Sequence, residues 1–155
     1  MSRLFLAVCV GAHFIWGGIR VLSAQTGSYE QNALRLEDHR GDTRIVRGVD
    51  GTVLGTIGGF HGIDVVKIVS ASENATVEAK KFAHDYAPGT WVTALGIATL
   101  GASVGVARMN DANRGVATGL TIMSTSLIIY GATRLESAYN ALSRAIWWYN
   151  RDLKE

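Results

Sequence analysis

The stretch Tyr86-Ala-Pro-Gly-Thr-Trp-Val-Thr-Ala-Leu-Gly-Ile-Ala-Thr-Leu-Gly-Ala-Ser-Val-Gly-Val-Ala107 runs for 22 residues without a charge. A helix rises about 1.5 Å per residue and a bilayer's hydrocarbon core is about 30 Å thick, so this stretch is long enough to cross one. A second uncharged block of 19 residues runs from Gly115 to Thr133. Between the two lies Arg108-Met-Asn-Asp-Ala-Asn-Arg114, a short polar connection suited to an antiparallel helical hairpin. Pro88-Gly89 is expected to punctuate the segment before the first span. Trp91, Tyr130 and Arg134 stand where interfacial aromatics and cations anchor a span.

Working outward, the chain of 155 residues is 48% hydrophobic but only 18% charged, against about a quarter in ordinary soluble domains. The deficit is concentrated in these blocks and in a third apolar run from Leu4 to Ile19. The expected fold class is therefore membrane α-helical with a small α+β polar domain. Four regions follow: 1–24, a signal peptide or N-terminal anchor helix; 25–88, the polar domain; 89–134, the transmembrane hairpin; and 135–155, an amphipathic helix.

Both spans are rich in small residues rather than in Leu or Phe. Ala94, Ala98, Gly101 and Gly105 recur on one face of the first, and Gly115 and Gly119 form a second GxxxG step. In lipid, apolar burial does not drive helices together, and small faces permit the close backbone approach that dispersion requires. These six residues are the expected helix-packing set. Neither span contains Asp, Glu, Lys, Arg or His, which speaks against a proton relay, ion site or metal ligand within the hairpin. The hydroxyls of Ser103, Thr121, Ser124, Thr125 and Ser126 are expected to bond back to their own helix carbonyls.

At the N-terminus, Arg3 and the apolar residues after it have the form of a signal peptide, with Val21-Leu-Ser-Ala24 as a cleavage region. His13, Trp16 and Arg20 fit an uncleaved anchor better. A retained His13 would be a lone haem or chlorin ligand with no second one in view. Export places the polar domain and the C-terminus outside, although Lys80, Lys81, Arg134, Arg144 and Arg151 on that side oppose the positive-inside rule. Cys9, the only cysteine, excludes intramolecular disulfides and Cys-rich metal sites.

In the polar domain, Thr43-Arg-Ile-Val-Arg47 and Thr52-Val-Leu54 flank Gly48-Val-Asp50-Gly51, a hairpin signal with positive φ expected at Asp50 and Gly51. Ile63-Asp-Val-Val-Lys-Ile-Val69 reads as a further β run. Ser70-Ala-Ser-Glu73 has capping-box spacing before a helix from Ala71 to Tyr86. So small a domain has to lean on the bilayer, a partner or a second copy.

After Gly131 the pattern Leu135, Ala138, Leu142, Ala145, Ile146, Tyr149, Leu153 is helical and uninterrupted by Gly or Pro, so the second span is expected to continue into it. Leu142, Ile146, Trp147, Trp148 and Tyr149 are the expected interface residues if the helix engages a partner; packing on the polar domain and lying on the membrane surface are the alternatives.

Other chemistry is thin. The charge of +2 carries no basic cluster, so nucleic acid is not an expected partner. Gly55-Thr-Ile-Gly58-Gly59-Phe-His-Gly62 lacks both the GxGxxG order and a Walker lysine. His39, His61 and His84 lie near Asp38, Asp42, Asp64 and Asp85 without a ligand spacing such as HExxH, and His61 with Asp64 is the pair to test for a metal or ligand. Asn74-Ala-Thr76 is a glycosylation sequon placed on a helix. No nucleophile elbow is present, and no cofactor, metal or catalytic residue is assigned.

Ala145-Ile-Trp-Trp-Tyr-Asn150 after a Gly-rich helical hairpin resembles the tail of small uncharacterised bacterial envelope proteins, over about the last 65 residues. The resemblance implies a bacterial envelope setting and brings no activity. The expected function is that of a non-enzymatic accessory or scaffold subunit of a larger assembly in the bacterial cytoplasmic membrane, such as a respiratory or photosynthetic complex. Its expected partners are the lipid bilayer and another protein or a second copy.

Overall fold

A computed structural model describes residues 27–60, 62–109 and 114–154. The leader 1–24 with Cys9 and His13, residue His61 and the turn residues 110–113 lie outside the described residues.

Three strands, β1 (Leu34–His39), β2 (Asp42–Arg47) and β3 (Thr52–Ile57), follow a short helical stretch at residues 27–32 and form an antiparallel meander in the order β1-β2-β3. β1 was not anticipated, because Leu34-Arg-Leu-Glu-Asp-His39 offers only two apolar residues. Its register explains it: Leu36 pairs with Ile45 and Leu34 with Arg47, which brings Leu34 and Leu36 onto the face that carries Ile45. Arg40 and Gly41 join β1 to β2 with φ of 55° and 88°, the left-handed pair that a two-residue hairpin requires. The second turn takes positive φ at Gly48 and Gly51, and not at Asp50 as expected. Gly48 is also pressed against the helical stretch, since a Cβ there would lie 2.5 Å from the Gln31 carbonyl oxygen.

The expected strand over Ile63–Val69 is instead a single helical turn, α1 (Val65–Ile68), capped by Asp64, whose carboxylate accepts the Lys67 N–H at 3.1 Å. Val65 and Val69 are four apart and both buried, a period that a short β-branched run cannot advertise.

Two long antiparallel helices make up the rest: α2 (Glu73–Met109) of 37 residues and α3 (Arg114–Asp152) of 39. Ser72, rather than Ser70, caps α2: its hydroxyl accepts the Ala75 N–H at 3.1 Å and donates to the Asp152 carboxylate at the end of α3. The helix then runs through Pro88-Gly89, where a break is expected from the sequence. An interior proline costs about 3 kcal/mol in water. In a candidate span, neighbouring helices and Ser/Thr side chains can satisfy the backbone groups it frees. α3 likewise continues unbroken past Arg134, as its uninterrupted pattern predicts.

The hydrophobic core joins what the sequence divides at 88 and 135. Leu34, Ile45 and Ile57 of the sheet share one cluster with Val65, with Phe82 and Tyr86 of α2, and with Leu142, Ile146 and Tyr149 of α3. The first part of α2 and the last part of α3 thus belong to a head built around the sheet. Asn150 fastens it: the side-chain amide donates to the Leu34 carbonyl and accepts the Leu34 N–H, both at 2.7 Å, pairing backbone groups of the edge strand β1. The remaining lengths of α2 and α3 form the hairpin, and both are apolar enough to cross a membrane.

Candidate membrane hairpin and its boundary layer

The two helices meet along a seam spaced by sevens, small at every position but Phe82. On α2 the series Ala75, Phe82, Gly89, Gly96, Ser103 is buried throughout, and so is Ala117, Ser124, Gly131, Ala138, Ala145 on α3. A seven-residue repeat lets two helices hold one seam in contact over many turns. Backbone approach is closest at three glycines. A Cβ on Gly96 would lie 2.7 Å from Ile128 Cγ1, one on Gly89 3.1 Å from Leu135 Cγ, and one on Gly131 2.7 Å from the Thr93 backbone nitrogen.

The expected packing set occupies other faces. Ala94 is half-buried, while Ala98, Gly101, Gly105, Gly115 and Gly119 are exposed, and a Cβ on any of these four glycines meets nothing within 4 Å. This corrects the expectation that they close the hairpin. Ala98 is two residues from Gly96, about 200° around the helix, so the GxxxG faces look away from the seam. The heptad and the GxxxG steps coexist in the sequence, and it is the heptad that faces the opposite helix.

The hydroxyls in the spans behave as expected. Ser103, Thr121, Ser124, Thr125 and Ser126 each donate to a carbonyl three or four residues back, at 2.7–3.0 Å. Thr121 also lies 3.2 Å from the Ser103 hydroxyl on the opposite helix. Near the tip the seam opens into a groove of about 420 Å³ lined by Ser103, Ala107, Arg114, Ala117, Thr121 and Ile122 among others.

A polar layer marks where the head becomes the hairpin. Asp85 receives Arg134 Nη1 at 2.6 Å and the Ser137 hydroxyl at 2.9 Å, with His84 Nδ1 at 3.0 Å. These hydrogen bonds, that with His84 foremost, hold the Asp85 carboxyl down at about 2. Arg134 also donates to the Tyr130 hydroxyl from Nε and Nη2, at 3.1 and 3.0 Å. Two turns further into the head, Glu78 accepts Lys81 at 2.5 Å and Arg144 at 2.8 Å, which lower its carboxyl below the usual range. At this layer the Tyr86 hydroxyl donates to the Gly59 carbonyl at 3.0 Å, and the next residue, Phe60, lies against Trp91 with ring centroids 4.6 Å apart.

Of the expected partner-binding residues, Leu142, Ile146 and Tyr149 are core side chains of the head, Leu142 having no exposed surface. They do not form a partner surface: of the alternatives, packing on the polar domain is the one the structure shows, with the sheet residues in the same core. Trp148 packs partly against the core, and Trp147 is 57% exposed, with Arg151 held over both indole rings. Of the His61–Asp64 pair, His61 lies outside the described residues and Asp64 is the cap of α1. Among the described residues no three His, Cys, Asp or Glu side chains come together as a metal site. Comparison with protein-family models, with curated proteins and with solved structures finds no match to this chain.

Proposed function

We propose that this chain is a small integral membrane protein of the bacterial envelope. Its hairpin crosses the cytoplasmic membrane and its head stands on the extracytoplasmic side. It acts without catalysis, as an accessory or scaffold subunit of a larger membrane assembly. The observation that carries the reading is the outward face of the hairpin. Leu95, Ile97, Val104, Val116, Ile122, Met123 and Ile129 are all exposed on helices that hold no charge over 22 and 19 residues. Core helices of a soluble protein would bury these side chains, and a hydrocarbon solvent accepts them as they stand. The lateral surface presents two small-residue faces, Ala98-Gly101-Gly105 and Gly115-Gly119, which leave room for the backbone of a neighbouring helix.

Two measurements on native membranes test this. Resistance to an alkaline carbonate wash is expected of a spanning chain, and extraction by the wash would end the membrane reading. On native gels after mild detergent extraction, the chain should migrate in a complex of fixed composition that Gly105→Leu dissolves. A wild-type chain that runs alone would end the subunit reading.

A further inference from the structure

We propose that Phe60 and Trp91 form a lipid-contacting aromatic pair that seats the sheet of the head on the interfacial zone of the bilayer. The inference rests on the spanning reading and adds a second membrane contact, from a loop that follows β3 rather than from the spans themselves.

The two rings touch each other while 56% of Phe60 and 65% of Trp91 remain exposed. Burying aromatic area of this size is worth more than almost any other side-chain contact, so a pair left open on a surface marks a place that something apolar covers. Its level on the molecule identifies the cover. From Asp85 to Arg108 is about 35 Å of helix and from Trp91 to Arg108 about 25 Å, which bracket the hydrocarbon thickness of about 30 Å. Trp91 therefore stands at the edge of the hydrocarbon, just inside the Asp85–Arg134 ion pair. Tyr130, half exposed on α3, stands at the same level, since the adjoining Gly131 faces Thr93. Three exposed aromatics from three separate segments thus share one layer, the composition that Trp and Tyr belts show at membrane boundaries.

The loop that presents Phe60 is held in advance. A side chain at Gly58 would run into the Asp42 side chain, its Cβ lying 2.6 Å from Asp42 Cγ. Gly59 takes a left-handed φ of 51°, and its carbonyl is tied to the Tyr86 hydroxyl at 3.0 Å. Phe60 therefore meets the bilayer with little further ordering to do.

The test uses the full chain carrying Cys9→Ser in vesicles of phosphatidylethanolamine and phosphatidylglycerol. A nitroxide label is placed in turn at Phe60→Cys, Trp91→Cys, Val49→Cys in the distal β2–β3 turn, and Ile97→Cys on the outer face of the span. Collision with oxygen, which concentrates in lipid, is compared with collision with a water-soluble nickel chelate. The oxygen-to-nickel ratio at positions 60 and 91 is expected to exceed that at position 49 several-fold and to approach that at position 97. A water-like ratio at 60 beside a lipid-like ratio at 97 would overturn this inference and leave the span intact. A water-like ratio at 97 would overturn both. A chain carrying Phe60→Trp, with its four native tryptophans replaced by phenylalanine, keeps the aromatic ring in the loop; its fluorescence should be quenched by brominated lipid, and quenching by aqueous iodide alone would overturn the inference without any change at position 60 that removes the ring.

Discussion

At the scale of single residues, the glycines of the hairpin divide by what surrounds them. Gly96→Leu and Gly131→Leu would drive a side chain into the opposite helix, and overpacking of this kind costs about 1–3 kcal/mol. Gly101→Leu and Gly105→Leu meet open space and should leave the stability of the isolated chain within about 0.5 kcal/mol of wild type. Thermal unfolding of the four variants in detergent separates the seam from the outer face, and equal losses in all four would contradict the assignment. Asn150 is as specific. It alone supplies both hydrogen bonds to the Leu34 backbone, so Asn150→Ala should cost about 1–3 kcal/mol and speed hydrogen exchange at the Leu34 amide. Nothing in the sequence marks Asn150 for this role, because an amide clamp on an edge strand depends on where a distant strand lies. The Ser70–Glu73 stretch reads as a helix start, but the serine that caps α2 is Ser72, which also meets Asp152, and Asp64 caps a helical turn where the pattern suggests a strand.

At the scale of elements, the uncharged runs of α2 and α3 are plain because charge is expelled from both for the length of a bilayer. The strand β1 is not, because its partners supply most of the apolar surface, and α1 has the pattern of a strand because a β-branched run of seven fits either period. The last turns of α3 carry an amphipathic face that fits the polar domain, a partner or the membrane surface equally well by pattern, and the structure takes the first: they complete the core of the head. Leu142→Ala should accordingly destabilise the head by about 2–5 kcal/mol, while Trp147→Ala, at an exposed position, should change stability little. The reverse order would return Leu142 to a partner surface. The polar layer between the helices also responds to pH. The Asp85 carboxyl sits at about 2 in the folded chain against an ordinary 3.8, a depressed value. Its contribution to stability is therefore complete above pH 4 and lost as pH falls through that interval, with Glu78 shifted in the same direction. Melting temperature measured from pH 5 down to pH 2 should fall more steeply for wild type than for Asp85→Asn, and parallel curves would remove Asp85 from the account.

At the scale of the whole molecule, two helices of about 55 and 58 Å each serve two environments, packing a sheet over one part and facing outward with apolar side chains over the other. The seven-residue seam runs through both, so the head and the hairpin form one continuous packed unit. Sequence periods revealed the hairpin and hid this continuity, since Pro88-Gly89 resembles a boundary until Gly89 is seen against Leu135. The small-residue faces on the outside, the exposed aromatics at one level and the polar layer above them are consistent with a protein whose surroundings are lipid and neighbouring helices.

The claim that the hairpin crosses the bilayer is tested most directly by labelling from two sides. With Cys9→Ser as background, Val49→Cys in the head and Gly115→Cys at the tip are expressed in a bacterial inner membrane and exposed to a maleimide that cannot cross it. Residue 49 should label on intact spheroplasts, and residue 115 only after the membrane is permeabilised. Labelling of both positions from the same side of an intact membrane would contradict the account.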